Sequence, residues 1–327
     1  MSTNHTFTVF TCTYNRAHTL HRVWESLQMQ TFRSFEWLIF DNGSTDQTAD
    51  LVARWARDSS FPIRYLSWAN NTGYQNAINE GVAAARGELF VMLDSDDRCL
   101  PQALERFHAL WHGIPEQKRE RFAGVTVLCE DQYGNLAGTR FPRDRLVSDA
   151  LELEYRYKVK GEKWGFIRTD ILREHPFPRV EHHVMPHVVW HRIARRYQTL
   201  FVNEVLRIYY QDDTGDAAQL TAVPPGHNAL GKLLGHQAIL DNNMDWFATA
   251  PIALCRAAVQ YIRYSRHAGR GAMQQAWELR GRAGRALCWA LQPAGLLLYL
   301  LDLGRHSRRA IAAGREEVDY HSLPGDP

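Results

Sequence analysis

At 327 residues the chain has room for one large domain, or for one domain with a substantial extension. An apolar share of 45% and a charged share of 23% exclude disordered and collagen-like classes, and the net charge of +2 marks no general polyanion binder. Five scattered cysteines without a CxxC or Cys/His pair exclude a disulfide framework and a structural zinc site, and fit a reducing compartment.

The first 112 residues alternate between strand and helix patterns. "FTVFTCT" (7–13) reads as a buried strand, and residues 17–30 carry Leu20, Val23, Trp24 and Leu27 at helical spacing. "FEWLIF" (35–40) is the second strand; "DNGSTD" (41–46) is a turn whose Ser44, Thr45 and Asp46 suit a helix cap. "IRYLSW" (63–68), a helix over 75–85 and "ELFVML" (88–93) continue the pattern, and Pro101 suits the first turn of a further helix. In the middle, 123–130 and 134–141 read as a strand pair, and 162–168, 199–203 and 205–210 as further strands. A helix is expected over 187–197, and "QDDTGDAAQ" (211–219) reads as a polar loop suited to a lid, with Asp212 and Asp213 as reserve contacts. From about 226 to 311 the pattern is helical, and "SLPGDP" is a tail.

Such alternation predicts an α/β fold: a mostly parallel, Rossmann-like sheet with helices on both faces, plus a helical C-terminal extension. Ligands of these sheets bind outside the carboxyl ends of the strands. "TCTYNR", "DNGSTD" and "DSDD" all fall at strand ends, so they converge on one crevice. Asp94, Asp96 and Asp97 crowd like charges there, and the cluster calls for a cation. Hard divalent ions take oxygen ligands and bridge to phosphates. Each piece alone also suits a plain turn or cap, as do Asn76 and Asn79 in "NNTGYQNAINEG" (70–81).

In order and spacing, "TYNR", "DNGSTD", the NxGxxxAxNxG run and "LDSDD" resemble the family-2 inverting glycosyltransferases of the GT-A fold, well over 7–112 and loosely over 113–210. The resemblance implies a nucleoside diphosphate sugar donor, with UDP the default, lying over Cys12, Thr13, Tyr14, Arg16, Asp41, Asn42, Asn71, Gly73, Asn76, Asp94, Ser95 and Asp96. It implies Mn²⁺ or Mg²⁺ on Asp96 and Asp97, which would answer the crowding of the acids. It implies a catalytic domain over 1–222, divided into a donor half (1–112) and an acceptor half (113–222), and a C-terminal region over 223–327. Where the family carries an Asp or Glu before a helix reading xxWxRxA, this chain has "RVEHHVMPHVVWHRIARRY" (179–197), with Pro186 and His187 in place of the acid. The candidate bases are His187 and, from the loop, Glu181. A zinc reading of His182, His183, His187 and His191 lacks the Glu of HExxH and any completing acid or Cys.

"ALCWALQPAGLLLYLLDL" (286–303) is the most apolar stretch, interrupted by Gln292, Pro293 and Asp302. Residues 251–315 hold eleven Arg, no Lys and two acids. Arginines flanking an apolar helix with Trp289 and Tyr299 suit an anionic membrane surface, and the competing reading is a buried helix or a homo-oligomer interface. No aromatic-basic module points to nucleic acid. The N-terminus lacks a basic region followed by an apolar run, so no signal peptide is expected. By analogy, the location is cytoplasmic, peripheral on the inner face of the inner membrane, and the acceptor a glycan or lipid-linked glycan. The alternatives are a sugar nucleotidylyltransferase, which needs a basic Gly-rich loop absent from "TCTYNR", and an inactive GT-A scaffold.

Overall fold

The computed structural model describes residues 5–180, 183–211 and 228–312, with side chains of the last helix described to 304. The chain divides into two compact units, Met1–Ala217 and Ala218–Pro327.

The first unit opens with β1 (His5–Thr13), α1 (His21–Gln28), β2 (Phe35–Asp41), α2 (Thr48–Asp58), β3 (Ile63–Ser67), α3 (Tyr74–Ala84) and β4 (Gly87–Met92). It continues with β5 (Arg98–Cys99), α4 (Ala103–His112), α5 (Glu116–Arg119), β6 (Phe122–Glu130), β7 (Arg145–Ser148) and a π-helical turn (Glu152–Arg156). Then come β8 (Lys163–Arg168), α6 (Thr169–Glu174), α7 (His187–Ala194) and β9 (Gln198–Ile208). Among the described residues these strands form one sheet in the order β3-β2-β1-β4-β8-β6-β9-β5, with β7 added on β9. The first four strands are parallel, and β8 runs antiparallel to both β4 and β6. Strand β2 is buried along its length because the sheet is covered on both faces. Its Trp37 and Ile39 pack into one core with α1 and α4, and its Leu38 and Phe40 into the other with α3 and α7. The order reverses at β1, which pairs β2 on one side and β4 on the other. That is the topological switch point, and the crevice beyond its strand ends is where ligands of such sheets bind.

Three expectations are corrected. The first helix starts at His21, because Thr19 and Leu20 donate their N–H groups back to Arg16 O and turn the chain first. Residues 134–141 are not a strand, since Gly134 and Gly138 sit at φ +83 and +121 and leave only bridges at Leu136 and Gly138. The expected strands at 199–203 and 205–210 are the single strand β9, irregular where it passes from Phe201 to Val205 against β6. The expected lid (211–219) and tail lie outside the described residues beyond Gln211.

The second unit consists of α8 (Ala229–Asn242), a 3₁₀ turn (Met244–Trp246), α9 (Pro251–His267), α10 (Ala272–Glu278), α11 (Arg282–Ala290) and α12 (Gln292–Ala312). Its core gathers Leu233, Leu240, Tyr261, Ile262, Leu279 and Cys288. Helix α12 closes tightly on α9 because position 295 is glycine; a Cβ there would stand 2.5 Å from the Ile262 side chain. Among the described residues no single helix is long and apolar enough to cross a membrane, and α11 with α12 forms an apolar pair bent by 59°.

Candidate active site

The acidic turn after β4 is built around an arginine that arrives much later in the chain. Strand β5 pairs β9 antiparallel, with Cys99 opposite Arg207, and this places the Arg207 guanidinium beneath the turn. Arg207 Nε donates to Asp97 Oδ2 at 2.8 Å, and its Nη2 reaches both Asp97 and Asp94. The Tyr210 backbone N–H donates to Asp97 Oδ1 at 2.8 Å, so both oxygens of this fully buried carboxylate are engaged. Asp94 Oδ1 also accepts from Tyr74 OH at 3.1 Å. Arg16 Nη1 donates to Asp96 Oδ2 at 3.1 Å, while Arg22 Nη1 donates to the Asp96 carbonyl and lies 4.0 Å over the Tyr210 ring. Ser95 is buried within the turn. Burial, with Asp94 and Asp96 nearby, pushes the Asp97 carboxyl up against the pull of Arg207. Burial opposes the charge on Arg207, but Asp94 and Asp97 hold its pKa well above the ordinary value. Burial and Asp94 also raise Asp96, with Arg16 opposing.

This arrangement corrects one metal ligand. Asp97 does not fit a cation: it is sealed from solvent and both its oxygens have protein donors. Asp94 and Asp96 do fit, because their side chains keep 41% and 30% exposure and each carboxylate has lone pairs beyond its present bonds. Among the described residues no group of three or more metal-ligating side chains is assembled, so an ion held here would take its remaining oxygens from a phosphate ligand and water.

The neighbouring loops are locked to one another. Asn15, at φ 53, donates its N–H to Ser44 Oγ at 2.8 Å and accepts from Thr45 N–H at 2.8 Å, tying the loop after β1 to the loop after β2. Asp41 is buried; its Oδ1 accepts from Ser44 N–H at 2.7 Å and its Oδ2 from Tyr65 OH. Asn42 Nδ2 donates to Asn71 Oδ1 at 2.8 Å and its Oδ1 accepts from Thr72 N–H at 3.0 Å, so its amide joins the third loop to the second. Asn71 Oδ1 also accepts from Gly73 N–H, at the start of α3. Asp41 and Asn42, expected beneath the nucleotide sugar, thus frame the crevice through protein hydrogen bonds. Tyr14 projects into solvent, and Arg16 reaches the acidic turn. Burial, with Asp94 and Asp41, pushes the Cys12 thiol up to about 12, which leaves it protonated and a poor nucleophile. Thr13 Oγ1 at the end of β1, Thr72 Oγ1, and Asn76 Oδ1 in the first turn of α3, are buried without a protein hydrogen-bond partner, the signature of polar groups placed for a ligand or water.

Helix α3 carries a polar face that grips the segment leading to α7. Asn79 exchanges two hydrogen bonds with the Phe177 backbone, at 3.0 and 2.9 Å. Asn76 Nδ2 donates to Thr72 O and Val180 O, and Gln75 Nε2 lies 2.8 Å from both His183 Nδ1 and Val184 O. Asn76, expected beside the nucleotide sugar, therefore has its N–H groups on backbone carbonyls. His187 opens α7, its ring 5.2 Å from the His191 ring. His191 is buried with Nε2 2.9 Å from Glu154 Oε2 on the π-helical turn. Burial works to raise the Glu154 carboxyl, but the hydrogen bond and charge of His191, with His187 beyond, leave it below its ordinary value. Glu181 lies outside the described residues. Between this face of the sheet and α7 lies a hollow of about 540 Å³, lined among others by Met92, Leu153, Glu154, Trp164, Trp190 and Phe201.

Arg207, Asn15 and Glu154 went unread in the sequence. Their signal is topological, since each gains its role from a partner on a distant loop.

Residues 8–117 match the family model described as glycosyl transferase family 2. Over that stretch the chain is similar to glycosyltransferase family 2. The transferase is 24% identical over 247 residues to the GalNAc(5)-diNAcBac-PP-undecaprenol beta-1,3-glucosyltransferase of Campylobacter jejuni, an alignment covering 72% of this chain and 76% of the relative. It is 27% identical over 139 residues to the amylovoran biosynthesis glycosyltransferase AmsE of Erwinia amylovora, covering 42% of this chain and 50% of that one. Its fold resembles that of S. aureus TarS 1-349 in complex with UDP-GlcNAc, with a TM-score of 0.59, 17% identity and coverage of 96% and 95% of the two chains. The fold is GT-A, and the transferase is an enzyme of glycosyl transfer.

Proposed function

We propose that this transferase moves a sugar from UDP to a hydroxyl of a glycan or lipid-linked glycan, with inversion and with the help of a divalent cation. The observation that carries the reading is the turn at the switch point: Asp94 and Asp96 stay accessible while Arg207 neutralises Asp97 beneath them. The undecaprenol-linked glycan in the name of the Campylobacter relative supports the acceptor class, and the UDP-GlcNAc held by TarS supports the nucleotide.

Asp94 and Asp96 would hold Mn²⁺ or Mg²⁺, which when bound supplies positive charge for the departing diphosphate. Arg16, already on Asp96, is placed to approach the same phosphates. Thr13 and Tyr14 border the donor, while Asp41, Asn42 and Asn71 fix the shape of the loops around it. The acceptor approaches from the α7 side, beside the hollow that carries the aromatic faces of Trp164 and Trp190. The acceptor oxygen attacks the anomeric carbon as the bond to the diphosphate breaks. Its proton passes to a ring nitrogen of His187. Glu154, held on His191, places negative charge behind that histidine pair and favours the imidazolium that forms.

The test is a thermal-shift series against UDP, GDP and dTDP, each with Mn²⁺ or with EDTA. Stabilisation by UDP only with metal supports the reading. Stabilisation by none of them removes the donor assignment.

A further inference from the structure

The helical unit presents an apolar surface whose polar interruptions are all turned inward. On α12 the exposed positions between 293 and 304 sweep about half of the helix circumference, and none of them is charged or polar. Leu297 is 57% and Leu300 53% exposed, with Leu296, Leu301 and Leu303 beside them. Asp302 is buried on the opposite side, where Arg263 Nε and Nη2 each donate to it at 2.6 Å and His267 Nε2 lies 2.9 Å away. Gln292 Nε2 donates inward to Gln275 Oε1 at 2.8 Å, and Gly295 holds the same inner side against Ile262. The polar residues that interrupt the apolar run in sequence, Gln292 and Asp302, therefore do not interrupt the outer surface. Trp289 is exposed on α11, and Trp277 on α10 is 73% exposed.

We propose that this outer face of α11 and α12 docks in the plane of an anionic membrane surface. A stripe of leucines with an exposed tryptophan is the composition of an interfacial helix, and a soluble monomer rarely leaves such a patch open. The charge pattern selects the occupant. Arg280 and Arg282 precede the apolar face and are exposed, and Arg305, Arg308 and Arg309 follow it in sequence. Arginines bracketing an apolar stripe complement anionic headgroups around an acyl interior. The 59° bend between α11 and α12 suits helices that lie along a surface. The inference is independent of the donor and acceptor assignments.

The experiment is sedimentation of the full chain with phosphatidylcholine vesicles, with and without phosphatidylglycerol, together with tryptophan emission. The full chain is expected to bind the anionic vesicles with a blue shift, and alkaline carbonate to release it. Leu297→Glu/Leu300→Glu should lower binding about tenfold or more, because two buried apolar contacts are lost. An unchanged melting temperature and an unchanged far-ultraviolet circular dichroism spectrum would show that the variant is folded. Arg282→Gln/Arg305→Gln/Arg308→Gln should remove the preference for anionic vesicles. Failure of the full chain to bind either vesicle, or equal binding by the Leu297→Glu/Leu300→Glu variant, overturns the proposal. So does a dimer dissolved by that variant without vesicle binding, which would assign the face to a second copy. Retention after carbonate overturns the in-plane geometry.

Discussion

Arg207 Nε donates to Asp97 Oδ2 at 2.8 Å, joining residues 110 positions apart. The pair is buried, so its value lies less in net attraction than in the penalty for breaking it. Arg207→Met leaves Asp97 buried without its countercharge and should destabilise the first unit by about 3–5 kcal/mol. Arg207→Met/Asp97→Leu should recover much of that loss. Urea melts of the single and double variants measure both.

Asp96 and Asp97 are adjacent in sequence and differ in role. Asp96→Asn should weaken metal-dependent UDP binding by more than about tenfold while leaving the melting temperature near wild type. Asp97→Asn should do the reverse, lowering stability while the residual UDP binding stays sensitive to EDTA. Titration calorimetry with UDP, with Mn²⁺ or EDTA, separates the two.

His187→Ala should keep UDP binding and lower the transfer rate by about 10²–10⁴-fold, the usual contribution of a positioned base. Glu154→Gln should lower kcat less, leave the donor KM unchanged and shift the pH profile of kcat. Single-turnover transfer assays check both. Full activity of His187→Ala would pass the base role to Glu181 or elsewhere.

The pH dependence of the helical unit follows from Asp302. Burial works against its charge, but the hydrogen bonds from Arg263 and His267 hold its carboxyl below the ordinary 3.8. The folded state therefore takes up this proton less readily than the unfolded chain. The stabilisation is fully present above 3.8 and is lost as pH falls through the lower folded value. Asp302→Asn should cost about 2–3 kcal/mol at neutral pH. It should also flatten this part of the decline in melting temperature below about pH 4.

The first 112 residues were legible because their signals are local. Strands β1 to β4 and the helices between them follow from periodicity within short windows, and the loops after them from turn residues. What lay hidden depends on pairing between distant segments. The acidic cluster announced a need for positive charge, yet that charge on Asp97 belongs to Arg207, and only the pairing of β5 with β9 makes them neighbours. For the same reason Asp97 read as a metal ligand when it is a buried partner. Glu154 sits on a π-helical turn, a geometry without a simple periodic signature, and its link to His191 crosses 37 positions. In the helical unit the sequence showed Asp302 as a flaw in an apolar run, because the side of a helix that a residue takes is set by its neighbours.

The hold of α3 on the segment from Phe177 to Val184 bears on how this enzyme could be re-engineered. Gln75, Asn76 and Asn79 lie on α3, between β3 and β4, yet they fix the backbone at Phe177, Val180 and Val184 ahead of α7. A chimera that exchanges the segment after β4 for that of another transferase would break this seam unless α3 travelled with it. The smallest transplantable piece is thus larger than that segment alone. On the proposed acceptor side, new preferences are better sought by changing side chains around Trp164 and Trp190 than by moving whole segments.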